Sequence, residues 1–132
     1  DSDSSGSTIP ISALSKQSLN DDERRTFLLQ ASIAGLKKEI SLLDSGCKLC
    51  TLSEEYYLQL CKLSPSPLTL EGTKDNVENP DGSPLLTLGR LTTDVYLGTK
   101  TILRNVEFLV IRGLTRSVLL GRTVYNQLAL LV

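Results

Sequence analysis

The chain has 132 residues, enough for a single domain, with 14 basic and 15 acidic side chains and a formal net charge of -1. No block of like charge stands out and only 5% of the residues are aromatic, which argues against nucleic acid or an anionic membrane as partner. Histidine is absent, which removes the usual general base and the commonest zinc ligand, and the odd set Cys47, Cys50 and Cys61 suits the cytoplasm or another reducing intracellular compartment.

In chain order, residues 1–22 are rich in Ser and Asp, the composition of a disordered arm or linker, with Ile9-Pro10-Ile11 an extended segment able to pair on occasion. Residues 23–132 are expected to form one folded domain. Thr26 to Ile33 and Glu39 to Leu43 are dense in strand-forming residues around a turn near Ala34-Gly35, which predicts a hairpin. It ends at Asp44-Ser45-Gly46, where glycine permits a sharp turn. Thr51 or Ser53 is the expected cap of a short helix with acids in its first turn, Leu58 and Cys61 on its inner face and Tyr57 beside them. Ser64-Pro65-Ser66-Pro67 closes that helix.

The stretch from Glu71 to Pro84 is polar and contains Asn79-Pro80-Asp81-Gly82, a long exposed hairpin or loop. Strands are predicted over Leu85–Leu88, Leu91–Leu97 and Ile102–Ile111, with a bend at Gly89 and turns at 98–100 and 112–115. Val118-Leu119-Leu120 is short, wholly apolar and expected at the centre of a sheet. Arg122 to Gln127 reads as a short helix and Leu128 to Val132 as a last strand, too apolar to remain a free edge, so a partner is expected to cover it. Many short strands with one or two helices predict an all-β, barrel-like fold. No apolar run approaches the ~20 residues of a membrane span.

Chemistry concentrates at Leu42-Leu43-Asp44-Ser45-Gly46, one carboxylate, one hydroxyl and a glycine at the end of an apolar run. Taken alone, Asp44 also fits a strand-end turn, and Cys47 and Cys50 fit small apolar fillers better than a redox or zinc pair. The ordered set of motifs resembles the retropepsin-like aspartic proteases of retroviruses and long-terminal-repeat retrotransposons, over roughly Thr26 to Val132. Leu42 to Gly46 matches the family's hydrophobic–Asp–Thr/Ser–Gly signature, and Thr51-Leu52-Ser53 matches the strand that follows it. Gly82 and its polar neighbours lie where the family has its flap. Leu119-Leu120-Gly121-Arg122 matches the apolar-apolar-Gly-Arg motif whose strand supports the active-site loop. Cys47 stands where alanine is usual. Lys48 stands where retroviral enzymes carry an acid paired with the arginine matched by Arg122, which leaves Arg122 no partner nearby in sequence. The flap region lacks the family's glycine-rich tip.

The resemblance implies a closed barrel that is one subunit of a symmetric homodimer, an aspartic endopeptidase acting on a polyprotein or protein substrate with no metal or organic cofactor. It assigns catalysis to Asp44, Ser45 and Gly46. Asp44 and its symmetry mate share one proton, the ionised member activating water and the protonated one donating to the scissile carbonyl. Ser45 bonds across the dimer and Gly46 leaves room for the substrate backbone. Substrate binding falls to Cys47, Lys48, Leu49 and Cys50 near the floor of the cleft, Gly82 in the flap, and Ser117 and Leu119 in the walls. This lining favours apolar or aromatic side chains at the cut bond, and Lys48 disfavours basic residues a few positions from it and tolerates acidic ones. No nucleic acid or membrane partner is implied. The alternative is a domesticated, catalytically weak or inactive relative acting as a homodimerising interaction module. The intact Asp44-Ser45-Gly46 argues for the enzyme; Lys48 and the flap composition argue for the module.

Overall fold

The computed structural model describes residues 8–10, 25–78 and 81–130. Strand β1 (Thr8–Pro10) is followed by β2 (Thr26–Ile33), β3 (Lys37–Asp44) and β4 (Cys50–Ser53), and helix α1 (Glu54–Leu63) comes next. Then follow β5 (Asn76–Glu78), β6 (Pro84–Leu85), β7 (Thr87–Leu97), β8 (Thr101–Ile111), β9 (Val118–Leu120) and helix α2 (Arg122–Ala129). Six strands close into a barrel in the order β2-β3-β9-β4-β8-β7, and β1, β5 and β6 form a separate three-stranded sheet. Most of the expected N-terminal arm lies outside the described residues. Its Thr8–Pro10 segment pairs in parallel with β5.

The hairpin of β2 and β3 forms as the sequence predicts, with Phe27 opposite Leu43 and Ile33 opposite Lys37. β7 and β8 make the long antiparallel pair; burial alternates along β7 as a half-buried strand requires, whereas the end of β8, from Phe108 to Ile111, is buried on both faces. The alternation changes phase once in β8, because Leu103 faces inward but so do Val106, Phe108 and Val110. The cause is a bulge in which Asn105 takes φ +57° and the register shifts between Thr93 and Val95. Asp94 fastens the bulge, its carboxylate accepting from Asn105 N–H at 3.1 Å and from the Arg104 guanidinium at 2.7 Å.

Two apolar layers result. The barrel interior holds Leu43, Leu52, Phe108, Val110, Val118 and Leu120, with Tyr56 and Leu60 of α1 packed against them. A second cluster lies on the outer face of the same wall, where Leu109, Ile111 and Leu119 meet Val77 of β5, with Leu85 of β6 against them. β9 is therefore buried on both faces, which is why all three of its residues are apolar.

Two expectations are corrected. Helix α1 does start at a Ser53 cap, which accepts from Tyr56 N–H at 3.1 Å. Its inner face is Tyr56 and Leu60, an i, i+4 pair, while Leu58 is half-exposed and Cys61 only partly covered. The terminal run is not a strand where it is described. Leu128 and Ala129 belong to α2 and Leu130 is its cap, because Val124, Tyr125 and Leu128 share one helical face against the barrel. Leu131 and Val132 lie outside the described residues.

Candidate active site

The candidate site is the loop that leaves β3 and enters β4. β9 runs parallel to β3, with Leu42 opposite Leu119 and Leu43 opposite Leu120, and antiparallel to β4. β3 and β4 therefore flank β9 without pairing with each other, and residues 45–49 must bridge over the end of β9. Asp44 sits where the bridge begins, level with Gly121. A turn at this point is forced by topology, and its backbone is held from below.

Gly121 makes the crossing possible. A Cβ there would stand 2.6 Å from the Leu49 carbonyl oxygen and 2.8 Å from its carbon, closer than real Cβ atoms approach, with the Cys47 carbonyl oxygen at a tight 3.0 Å. Arg122 then locks the loop. Its N–H donates to the Cys47 carbonyl at 2.7 Å and its Nε to the Ser45 carbonyl at 3.1 Å. The partner that Arg122 lacks in the sequence is thus the loop backbone itself.

Within the turn, Gly46 N–H donates to Asp44 Oδ1 at 2.9 Å and Cys47 N–H to the Asp44 carbonyl at 3.2 Å. Arg25 and Ser45 clasp each other: Ser45 N–H donates to the Arg25 carbonyl at 2.9 Å, and Arg25 N–H donates to Ser45 Oγ at 2.7 Å. Asp44 is 0% exposed.

The remaining expected site residues divide by burial. Cys47, Cys50 and Leu119 lie beneath the surface, Cys47 and Leu119 in the outer cluster and Cys50 in the barrel interior. The Cys47 thiol donates to the Leu49 carbonyl at 3.0 Å, and burial, with the Asp44 charge adding to it, pushes this thiol up to about 12. The Cys50 sulfur accepts from Gly121 N–H at 3.2 Å, and burial raises that thiol too. Lys48 is exposed and Leu49 half-buried. With Cys50 they border a cavity of about 280 Å³ whose other wall includes Glu107, Thr123 and Gln127.

Gly82 is at the exposed tip of the β5–β6 hairpin, where Asp81 accepts from Ser83 N–H at 2.9 Å and Ser83 Oγ–H at 2.6 Å. Ser117 lies at the far end of β9, about 13 Å along the strand from the level of Asp44 at ~3.3 Å per residue. Its carbonyl accepts from Ser53 N–H at 3.0 Å, fastening β9 to the start of α1.

The structure adds residues that sequence reasoning passed over. Val77, Leu85 and Leu114 join Leu42 in the outer cluster beside the loop, and Arg25 clasps Ser45. Alternation along β3 carries the signal for Leu42, since it must face opposite to Leu43. Nothing local announces that Val77 crosses over to meet it. Among the described residues no group of three or more His, Cys, Asp or Glu side chains is placed to hold a metal ion, and no helix is long and apolar enough to cross a membrane.

The sequence matches no protein-family model and no curated protein. Its fold is similar to the crystal structure of a retropepsin-like aspartic protease from Rickettsia conorii. The TM-score is 0.53 at 20% sequence identity, over 82% of this chain and 74% of that one. At this identity the similarity is one of fold.

Proposed function

We propose that the chain is one subunit of a homodimeric aspartic endopeptidase, with Asp44 as its contribution to a shared catalytic pair. The observation that carries this reading is the Asp44-Ser45-Gly46 turn bridging β9, held by Gly121 and Arg122 in a closed barrel of retropepsin-like fold. A surface turn needs no such clamping. A carboxylate that must meet a second copy of itself within a few Å does, because general acid and base work depends on position.

Two carboxylates so close hold one proton between them. The ionised one takes a proton from the attacking water, and the other gives its proton to the scissile carbonyl oxygen. The roles then reverse as the amine departs. The Gly46 N–H on Oδ1 orients the carboxylate, and Ser45 steadies the turn through its clasp with Arg25. The substrate is a protein or polyprotein segment bound extended, with the β5–β6 hairpin as the flap, Gly82 at its tip, and Lys48 and Leu49 at the rim of the cleft. No cofactor enters these steps. The three free cysteines suit a reducing compartment.

Asp44→Asn tests this directly. It removes the acid and the base together, so cleavage of a broad peptide mixture should fall by about 10³-fold or more, with the thermal melt retained. Full cleavage by the folded variant would refute the assignment. A wild-type chain that self-associates but cuts nothing at any pH would instead identify the non-catalytic interaction module.

A further inference from the structure

The flap-like sheet has a third strand that does not come from the hairpin. Thr8–Pro10 lies along β5 in parallel, with Thr8 opposite Asn76, Ile9 opposite Val77 and Pro10 opposite Glu78. On the other side β5 meets β6, with Val77 opposite Leu85 and Glu78 opposite Pro84. Without Thr8–Pro10, β5 would be an open edge.

Two prolines set which backbone groups face that edge. Pro84 has no N–H, so in the antiparallel pair the residues exchanging both hydrogen bonds are Val77 and Leu85. Val77 therefore turns its N–H and C=O to β6, and Asn76 and Glu78 turn theirs to β1. Pro10 also lacks an N–H, so in the parallel pair the residue able to bond with both its groups is Ile9. Its N–H meets the Asn76 carbonyl and its carbonyl meets the Glu78 N–H. The two prolines give the same phase independently.

The edge is also in the right place. Val77 is wholly buried in the cluster that contains Cys47, whose N–H bonds the Asp44 carbonyl, and Leu42 and Leu119 of the two strands beneath the loop. Asp44 itself is 0% exposed, whereas a working endopeptidase must admit a peptide to it. An extended peptide adding to a sheet edge gains backbone hydrogen bonds whatever its sequence.

We propose that the β5 edge is a docking site for extended peptide and that the chain's own Thr8–Pro10 segment occupies it as an intramolecular competitor, holding the Asp44 site closed until displaced. The docking rests on the strand pairing alone. Its effect on catalysis rests on the endopeptidase reading above.

The test is Ile9→Pro in the full chain, which deletes the one donor Ile9 directs at β5. Amide exchange at Asn76 and Glu78 should speed up about tenfold or more, the worth of one or two hydrogen bonds, while the Val77 amide, bonded to β6, keeps its protection. A synthetic peptide spanning residues 5–12 should restore protection to the variant. Unchanged exchange at Glu78, or equal loss at Val77, overturns the docking. In peptide cleavage the variant should show KM lowered several-fold with kcat retained, and the same peptide should inhibit it competitively. Faster exchange with unchanged KM would leave the edge a docking site and overturn its role as competitor. If neither protein cleaves anything, the endopeptidase reading fails and the exchange result alone decides the docking.

Discussion

Gly121 has an ordinary negative φ of -92°, so it is required for space and not for its dihedral freedom. A methyl group there must displace the backbone of the loop that carries Asp44, and backbone has no rotamer to move out of the way. Gly121→Ala should destabilise the fold by about 1–3 kcal/mol or more, read by chemical denaturation. Gly72→Ala, where no atom lies within 4 Å of the added carbon, should be near neutral. Equal effects would mean that the loop does not cross β9 as closely as described. The cysteines report on the same loop. Reagents attack the thiolate, and burial holds Cys47 at about 12 and raises Cys50, so both stay protonated well above neutral pH. At pH 8 only Cys61, partly accessible on α1, should be labelled in the native protein, with Cys47 and Cys50 following on unfolding. Mass mapping of labelled peptides checks this. Rapid native labelling of Cys47 would show that the loop opens.

Between residue and fold stands the bulge in β8. Asn105 holds a left-handed conformation that a strand interior normally avoids, and Asp94 across the ladder compensates by accepting its N–H. That N–H, and then the Arg104 guanidinium, hold the Asp94 carboxyl below the usual carboxylate range. A depressed carboxylate stabilises the fold above its unfolded pKa, and the contribution fades as pH falls through the folded value. Wild type should therefore melt higher than Asp94→Ala near neutral pH, and the gap should close on acidification. A gap independent of pH would mean the side chain acts by packing and not by charge. Gly89 does similar work in β7. Its conformation lets the Glu71 backbone pair with Arg90, and a Cβ there would stand 2.8 Å from the Glu71 oxygen. This anchors the segment that leads into β5, and so fixes where the hairpin lies.

At the scale of the molecule, one sheet wall serves two apolar layers, and the candidate loop sits at its edge. The outer face of β2 and β3 continues beyond the hairpin with Leu28, 65% exposed, and Ile40, 50% exposed; Leu130 at the end of α2 is 85% exposed. These surfaces and the single Asp-Ser-Gly suit a second copy of the chain. The proposed homodimer predicts that sedimentation equilibrium shows reversible doubling of mass. Cleavage per subunit should rise with protein concentration until association saturates. Activity proportional to concentration throughout the dissociating range would assign catalysis to the monomer and overturn the shared pair.

Local signals were enough for several parts of this protein. Strand and turn residues made the β2–β3 hairpin legible, Ser53 and the acids after it marked the start of α1, and the unbroken apolar run of β9 announced a strand buried on both faces. The motif at residues 42–46 and its companion at 119–122 named the loop and its support. What they could not convey is anything that depends on two distant segments meeting. The clash that makes Gly121 obligatory exists only because Leu49 lies over it. The contact of Arg122 with Ser45 spans 77 residues of chain. The phase change in β8 has no periodic signature, and the apolar run at 128–132 suits strand and helix alike until the barrel offers a surface to Val124, Tyr125 and Leu128. The docking of Thr8–Pro10 on β5 belongs to the same class. A three-residue strand is too short to declare itself, and only the open edge opposite it decides that it forms.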